Sequence, residues 1–188
     1  MAEIVYLDSP LESEALYERL CPPVRKWFKD KFPDFTRPQK LAIPAIMEKK
    51  HLLLCSPTGS GKTLTAFLTV IDQLVRLALE RKLEKKVHAI YISPIKALAN
   101  DIQRNLIGPL NEITEHYLPD RAQEIRVCLR TGDTSQSDRQ KMLRNPPHIL
   151  ITTPESLAIA ITSPRFQPIV SEVEYMIIDE LHSMVSTK

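Results

Sequence analysis

Two places in this chain combine residue types and spacing that could do chemistry. One is a loop, Ser56-Pro57-Thr58-Gly59-Ser60-Gly61-Lys62-Thr63; the other is an apolar run ending Ile177-Ile178-Asp179-Glu180-Leu181-His182. A backbone can curl around an anion only where it can turn through conformations that side chains disfavour. Two of the chain's four glycines, Gly59 and Gly61, sit in this one loop. In the pattern G-x-x-x-x-G-K-[ST], backbone amides cradle phosphates, the lysine contacts the β and γ phosphates, and the hydroxyl ligates magnesium. Those roles fall here to Lys62 and Thr63, with Thr58, Gly59, Ser60 and Gly61 forming the cradle. Ser56 stands where the pattern has glycine, so the strict form is missed by one residue. Asp179 closes a strand and is placed to hold Mg2+ through its water shell; Glu180 can polarise an attacking water as general base. Among the histidines only His182 is placed to join them; His51, His88, His116 and His148 show no ligand spacing. Alone, the first feature also reads as a glycine turn and the second as a solvated strand end; jointly they imply ATP and Mg2+ as cofactors.

Positioning these groups requires a particular architecture. From residue 51 onward strand and helix patterns alternate, which predicts a mostly parallel α/β sheet with helices on both faces. Apolar runs His51–Cys55, Val87–Ser93, Ile125–Leu129, His148–Thr152 and Tyr175–Ile178 read as buried strands. Between the first two, Leu64, Phe67, Leu68, Ile71, Leu74, Val75, Ala78 and Leu79 recur at helical spacing, predicting a helix over Leu64–Leu83 that closes in a basic stretch. Three strand-to-helix turns share one chemistry: Ser56-Pro57, Ser93-Pro94 and Thr153-Pro154. In the last two a hydroxyl residue is placed to cap and proline to take the first helical position. In a parallel sheet such turns lie along one edge, the carboxyl ends of the strands, where helix N-termini form anion sites. One would take ATP phosphates, and a polymer of phosphates is a candidate for the others. Ahead of residue 51, Leu11–Leu20, Val24–Phe32 and Pro38–Glu48 read as short helices.

At 188 residues the chain is one domain's worth, and 43% hydrophobic with 26% charged content describes an ordinary soluble globular protein. No apolar run approaches the roughly 18–20 residues of a membrane span, and no secretory leader is visible, so no membrane partner is expected. Cys21, Cys55 and Cys128 show no CxxC pairing and read as reduced, mostly buried thiols of a cytoplasmic protein. The overall charge of +2 says little, but its distribution is uneven: residues 1–20 carry a net −4 and residues 21–50 a net +5. A basic face suits a phosphate-backbone partner, and equally a solvated helical surface.

In order along the chain, these motifs resemble those of the first RecA-like domain of a superfamily 2 helicase of the DExH type, and more narrowly of the Lhr (large helicase-related) group. Phe35-Thr36-Arg37-Pro38-Gln39 resembles the Q motif, whose glutamine reads the adenine edge. Ser56–Thr63 matches motif I, and Asp179-Glu180-Leu181-His182 matches motif II. Ser93–Asp101 resembles motif Ia; Arg130–Thr134 and Thr152–Leu157 resemble the Ic and Ib elements that grip the nucleic-acid backbone. Trp27-Phe28 with Phe35-Thr36 and Gln39, and Arg104-Asn105-Leu106 with Pro109-Leu110, favour Lhr over DEAD-box RNA helicases. The resemblance implies a P-loop NTPase domain spanning residues 1–188, with a helical extension over 1–34 and motifs Q to II over 35–188. It implies Lys62, Asp179, Glu180 and His182 as catalytic residues, Gln39 as adenine selector, and Thr63 with Asp179 as the metal site. Single-stranded nucleic acid would lie on Pro94, Lys96, Ala97, Thr131, Gly132, Asp133, Thr153, Pro154 and Glu155.

The resemblance also implies what is not here. No Ser/Thr-Ala-Thr segment (motif III) occurs, nor motifs IV to VI, so the second RecA-like lobe and its transition-state arginines are expected to be missing partners. The family's motif III strand lies between the motif I and motif II strands. We therefore expect the sheet to rearrange, to close the gap, or to borrow a strand. The implied activity is a 3′ to 5′ DNA helicase or translocase acting on single-stranded or forked DNA. An RNA motor (or one acting on a DNA–RNA hybrid) stays open, as does a nucleotide- and nucleic-acid-binding module without turnover.

Overall fold

The computed structural model describes residues 4–57, 59–94, 101–119 and 122–181. Among these residues four strands make one sheet: β1 (Ala89–Ile92), β2 (Val127–Arg130), β3 (Ile149–Thr152) and β4 (Tyr175–Ile178), in the order β2-β3-β1-β4. Every pairing is parallel, with Ile92 opposite both Thr152 and Ile178, and Arg130 opposite Thr152. The central strands Ala-Ile-Tyr-Ile and Ile-Leu-Ile-Thr are buried at every position, as helices on both faces demand. The outer strands are partly open, and on β4 Met176 and Ile178 are exposed.

Alternation along the central strands sorts the core into two layers. Ala89, Tyr91, Ile149 and Ile151 face one core with α1 (Ser13–Arg19), α2 (Pro22–Lys31), α3 (Arg37–Met47), α4 (Lys62–Leu79) and α5 (Gly108–Tyr117). Ile90, Ile92 and Leu150 face the other, with Met142 from α6 (Gln136–Arg144), Leu157 and Ala160 from α7 (Pro154–Ile161), and Phe166 ahead of α8 (Gln167–Val170). Helix α4 supplies Leu64, Phe67, Leu68, Ile71, Leu74, Val75 and Ala78 to the first core. It stops at Leu79 rather than Leu83, because Arg81 adopts a left-handed φ of 58° that cannot continue a helix.

The N-terminal helices dock through chemistry as well as apolar contact. Pro22 and Pro23 open α2 where a missing N–H costs nothing. Asp72 of α4, 4% exposed, accepts the Cys21 N–H at 2.6 Å and the Arg76 Nε–H at 2.7 Å. Phe28 stacks on Phe35 at 4.2 Å, and the Trp27 indole N–H donates to Glu112 of α5 at 2.7 Å. At the amino ends of the strands a polar seam forms around two buried histidines. His148 Nδ1 accepts the Arg126 backbone N–H at 3.0 Å, and His88 lies 2.9 Å from Glu174, which also takes Lys49 and Gln73.

The expected strand at His51–Cys55 is the main correction. Among the described residues no strand is assigned between 51 and 57; these residues alternate between exposed and half-buried, with Leu53 75% exposed. A strand is stable only with a ladder beside it, and the described sheet ends at β4. Among the described residues β4 pairs with β1 on one side and has no strand on the other. The segment's cysteine, Cys55, is accordingly exposed, whereas Cys21 is buried and Cys128 half-buried.

Candidate functional site

Parallel register brings the motif ends together. Ile92, Thr152, Arg130 and Ile178 end side by side, so Ser93-Pro94, Thr153-Pro154, Thr131-Gly132 and Asp179-Glu180 follow along one edge of the sheet. Thr153 caps α7 by accepting the Ser156 N–H at 3.3 Å, with Pro154 in the first turn and Glu155 exposed beside it. The Thr131 N–H is held by Thr134 Oγ1 at 2.8 Å, with Gly132 and Asp133 exposed. Pro94 is half-buried, and the buried Ser93 hydroxyl has no partner among the described residues. Thr58, Lys96, Ala97 and His182 lie outside the described residues.

The phosphate loop precedes α4. Gly59 and Gly61 have φ of 81° and 84°, which side chains resist, and Gly61 is the N-cap of α4. The Lys62 ammonium donates to the carbonyls of Ser56 at 2.5 Å and Pro57 at 3.0 Å, and the Ser56 and Ser60 hydroxyls meet at 2.6 Å. Thr63 is half-buried in the first turn of α4.

Gln39 is 3% exposed and braces this loop from α3. Its Oε1 accepts the Thr36 N–H at 2.8 Å, and its Nε2 lies so close to Gly61 that a Cβ there would sit 2.9 Å away. Thr36 adds a second tie, its hydroxyl donating to the Ser60 carbonyl at 3.0 Å. Beside them opens a cleft of about 520 Å³ lined by Trp27, Phe32, Gln39, Gly61, Arg104 and Glu112, among others. Its far wall includes a π-helical turn, Gln103–Ile107, ahead of Gly108-Pro109.

Asp179 extends the sheet by donating its N–H to the Ile92 carbonyl at 2.9 Å. Its carboxylate is held on both oxygens: Oδ2 accepts the Tyr91 hydroxyl at 2.5 Å and Oδ1 the Glu180 N–H at 2.9 Å. Burial first, then Asp179, pushes the Tyr91 pKa up, so the phenol stays protonated and donates. Glu180 has a left-handed φ of 50°, a conformation costing about 1 kcal/mol outside glycine. The residues expected to hold Mg2+, Thr63 and Asp179, would offer it a hydroxyl and a carboxylate, the oxygen donors that this ion takes. Among the described residues no cluster of three or more His, Cys, Asp or Glu side chains is placed to hold a metal ion.

Sequence reasoning missed Tyr91, Trp27 and Arg104 as site-lining groups. For Tyr91 a signal exists: a phenol inside a fully buried apolar strand needs a partner for its hydroxyl. Trp27 is brought to the cleft by packing of α2 against α5, and Arg104 by the π-helical turn that packs on α4 and α5.

A glycine-rich loop at the head of α4 and an Asp-Glu pair at the end of β4 are what a helicase domain of this class carries, and comparison with known proteins agrees. The DEAD/DEAH box helicase family matches residues 36–188, and this chain belongs to it. Within it, the resemblance is to Lhr helicases. The chain is 50% identical to the ATP-dependent helicase Lhr-Core of Methanocaldococcus jannaschii over 100% of its own length and 23% of the relative's. It is 44% identical to the Lhr helicase/uracil glycosylase of Escherichia coli, covering 96% of this chain and 12% of that one. The solved Mycobacterium smegmatis helicase Lhr, bound to ssDNA and AMP-PNP, superposes with a TM-score of 0.77 at 42% identity, over 90% of this chain and 21% of that one. The sheet is thus a RecA-like one. The chain spans about a fifth of the length of the archaeal Lhr-Core relatives it matches, and less of the bacterial ones.

Proposed function

We propose that this chain is the first ATP-binding lobe of an ATP-dependent 3′ to 5′ DNA helicase or translocase, with residues 1–34 as a helical extension and 35–188 carrying the motifs. The observation that carries the reading is the cradle itself: two left-handed glycines, Gly59 and Gly61, at the head of α4, braced by Gln39 and Thr36, with the Lys62 ammonium against the loop. The name of the M. jannaschii relative and the ssDNA and AMP-PNP in the M. smegmatis structure support it.

Amides of Thr58 to Thr63 at the positive end of α4 would take the β and γ phosphates, with Lys62 neutralising them. Thr63 and Asp179 would hold Mg2+, which would supply charge neutralisation at the phosphates. Glu180 orients and deprotonates water, assisted by His182, and Gln39 contacts adenine beside the cleft that Trp27 and Arg104 line. Pro94, Lys96, Ala97, Thr131, Gly132, Asp133, Thr153, Pro154 and Glu155 hold one strand of single-stranded or forked DNA by its phosphates. Such contacts carry affinity without sequence information. A second helicase lobe completes the transition state. Cytoplasmic residence fits three free thiols, and among the described residues no helix is long and apolar enough to cross a membrane.

The test is a titration of a fluorescent adenine nucleotide with Mg2+. Lys62→Ala should weaken binding by about two orders of magnitude, the worth of one strong charge-assisted contact. DNA-stimulated hydrolysis should vanish in Glu180→Gln. Equal binding by Lys62→Ala would sink the reading, and stronger stimulation by RNA than by matched DNA would move it to an RNA motor.

A further inference from the structure

Tyr91 is 2% exposed at the third position of β1, a central strand that otherwise carries only apolar side chains. Its ring packs on Phe67 of α4 at 4.8 Å, tilted by 40°. Phe67 lies four residues beyond Thr63, hence on the same face of α4 one turn further in. Its hydroxyl reaches across to the neighbouring strand's end and donates to Asp179 Oδ2 at 2.5 Å. A continuous line of contacts therefore runs from the helix that follows the phosphate loop, through Phe67 and Tyr91, to the acidic strand end. Asp179 Oδ1 is fixed separately by the Glu180 N–H at 2.9 Å. Each carboxylate oxygen keeps a further acceptor direction, so both restraints can persist while the group faces a metal's water shell.

A carboxylate at a strand end, half-exposed and bonded only to its own neighbour's amide, would rotate. The phenol removes that freedom from the interior side, where no water competes. It also costs little to do so: its ring is locked between β1 and α4, so no rotamer entropy is lost when the bond forms.

Resting on the Mg·ATP reading above, we propose that Tyr91 is a positioning residue that fixes the Asp179 carboxylate for Mg2+ through its hydroxyl, and that Phe67 aligns it from α4. Partners of this kind around a metal ligand typically govern metal affinity by about 10- to 100-fold.

The experiment uses Tyr91→Phe, which keeps the ring and its packing on Phe67. Binding of a fluorescent ATP analogue is measured across an Mg2+ titration and again in EDTA, alongside thermal unfolding and the Asp179→Asn variant, on this chain in its native protein. We expect the half-saturating Mg2+ concentration to rise about tenfold in Tyr91→Phe. Binding in EDTA, which does not involve Asp179, should be unchanged. A metal midpoint that stays put or falls overturns the proposal, as does a loss of EDTA and Mg2+ binding by the same factor, which would mark a general packing defect. If the unsubstituted protein shows no Mg2+-dependent binding, or Asp179→Asn leaves that dependence intact, the functional reading itself fails, whatever Tyr91→Phe does.

Discussion

Replacing each loop glycine by alanine separates backbone strain from side-chain crowding. Gly59 has φ 81° and nothing within 4 Å of a built Cβ, so Gly59→Ala should cost only the left-handed strain, about 1 kcal/mol. Gly61 has φ 84° and the same strain, but its Cβ would meet Gln39 Nε2 at 2.9 Å. Gln39 cannot swing aside freely: it is 3% exposed and its Oε1 holds the Thr36 N–H at 2.8 Å. Displacing it forfeits that bond and disturbs a buried amide, about 1–2 kcal/mol more. Gly61→Ala should therefore lose about 2–3 kcal/mol, read as a shift of the urea midpoint at constant slope. In a double-mutant cycle with Gln39→Ala, the Gly61→Ala cost should fall by about 1 kcal/mol or more because the obstructing amide is gone. Equal losses from the two glycine substitutions, with no coupling to Gln39, would refute the claim that α3 braces the loop.

Four further outcomes follow from the packing. His148 is 1% exposed, and burial first, then the Arg126 charge, lowers its pKa from 6.5 to about 4. The unfolded chain thus takes up a proton that the folded one refuses. Stability is full above pH 6.5 and is lost by about 3 kcal/mol as the pH falls toward 4. His148→Asn should flatten that window in pH-dependent urea unfolding. Burial works to raise the pKa of Glu174, but hydrogen bonds from His88, Lys49 and Gln73 outweigh it and hold it at about 2, so a second loss is expected below pH 4.5. Asp72→Ala removes the acceptor of the Cys21 N–H and the partner of Arg76; it should cost about 2–4 kcal/mol in urea unfolding, and a cost under 1 kcal/mol would mean α2 is anchored by its apolar face alone. Thr153→Ala should cost about 1 kcal/mol of stability through the lost cap on α7, readable in thermal unfolding, while binding of single-stranded DNA weakens as the helix end frays.

Much of this protein is legible in its sequence because local rules and tertiary structure agree there. Two left-handed turns need glycine, a helix entry takes Thr153-Pro154, and fully buried central strands read as apolar runs, so the loop, the cap and the sheet's parallel class are written in short stretches of chain. The helix over 62–79 is legible for the same reason: its apolar spacing persists for five turns. The apolar segment His51–Cys55 carries the same local signal as the others, yet whether it becomes a strand depends on a ladder beside it, and no window of residues records a neighbour. The Gln39 brace against Gly61, the seam of His88, His148, Arg126 and Glu174, and the hold of Tyr91 on Asp179 join residues 22 to 88 positions apart. Sequence named Gln39, Gly61 and Asp179 and the chemistry each could do; only the parallel register and the two packed faces brought Tyr91, Arg126 and Glu174 to their partners.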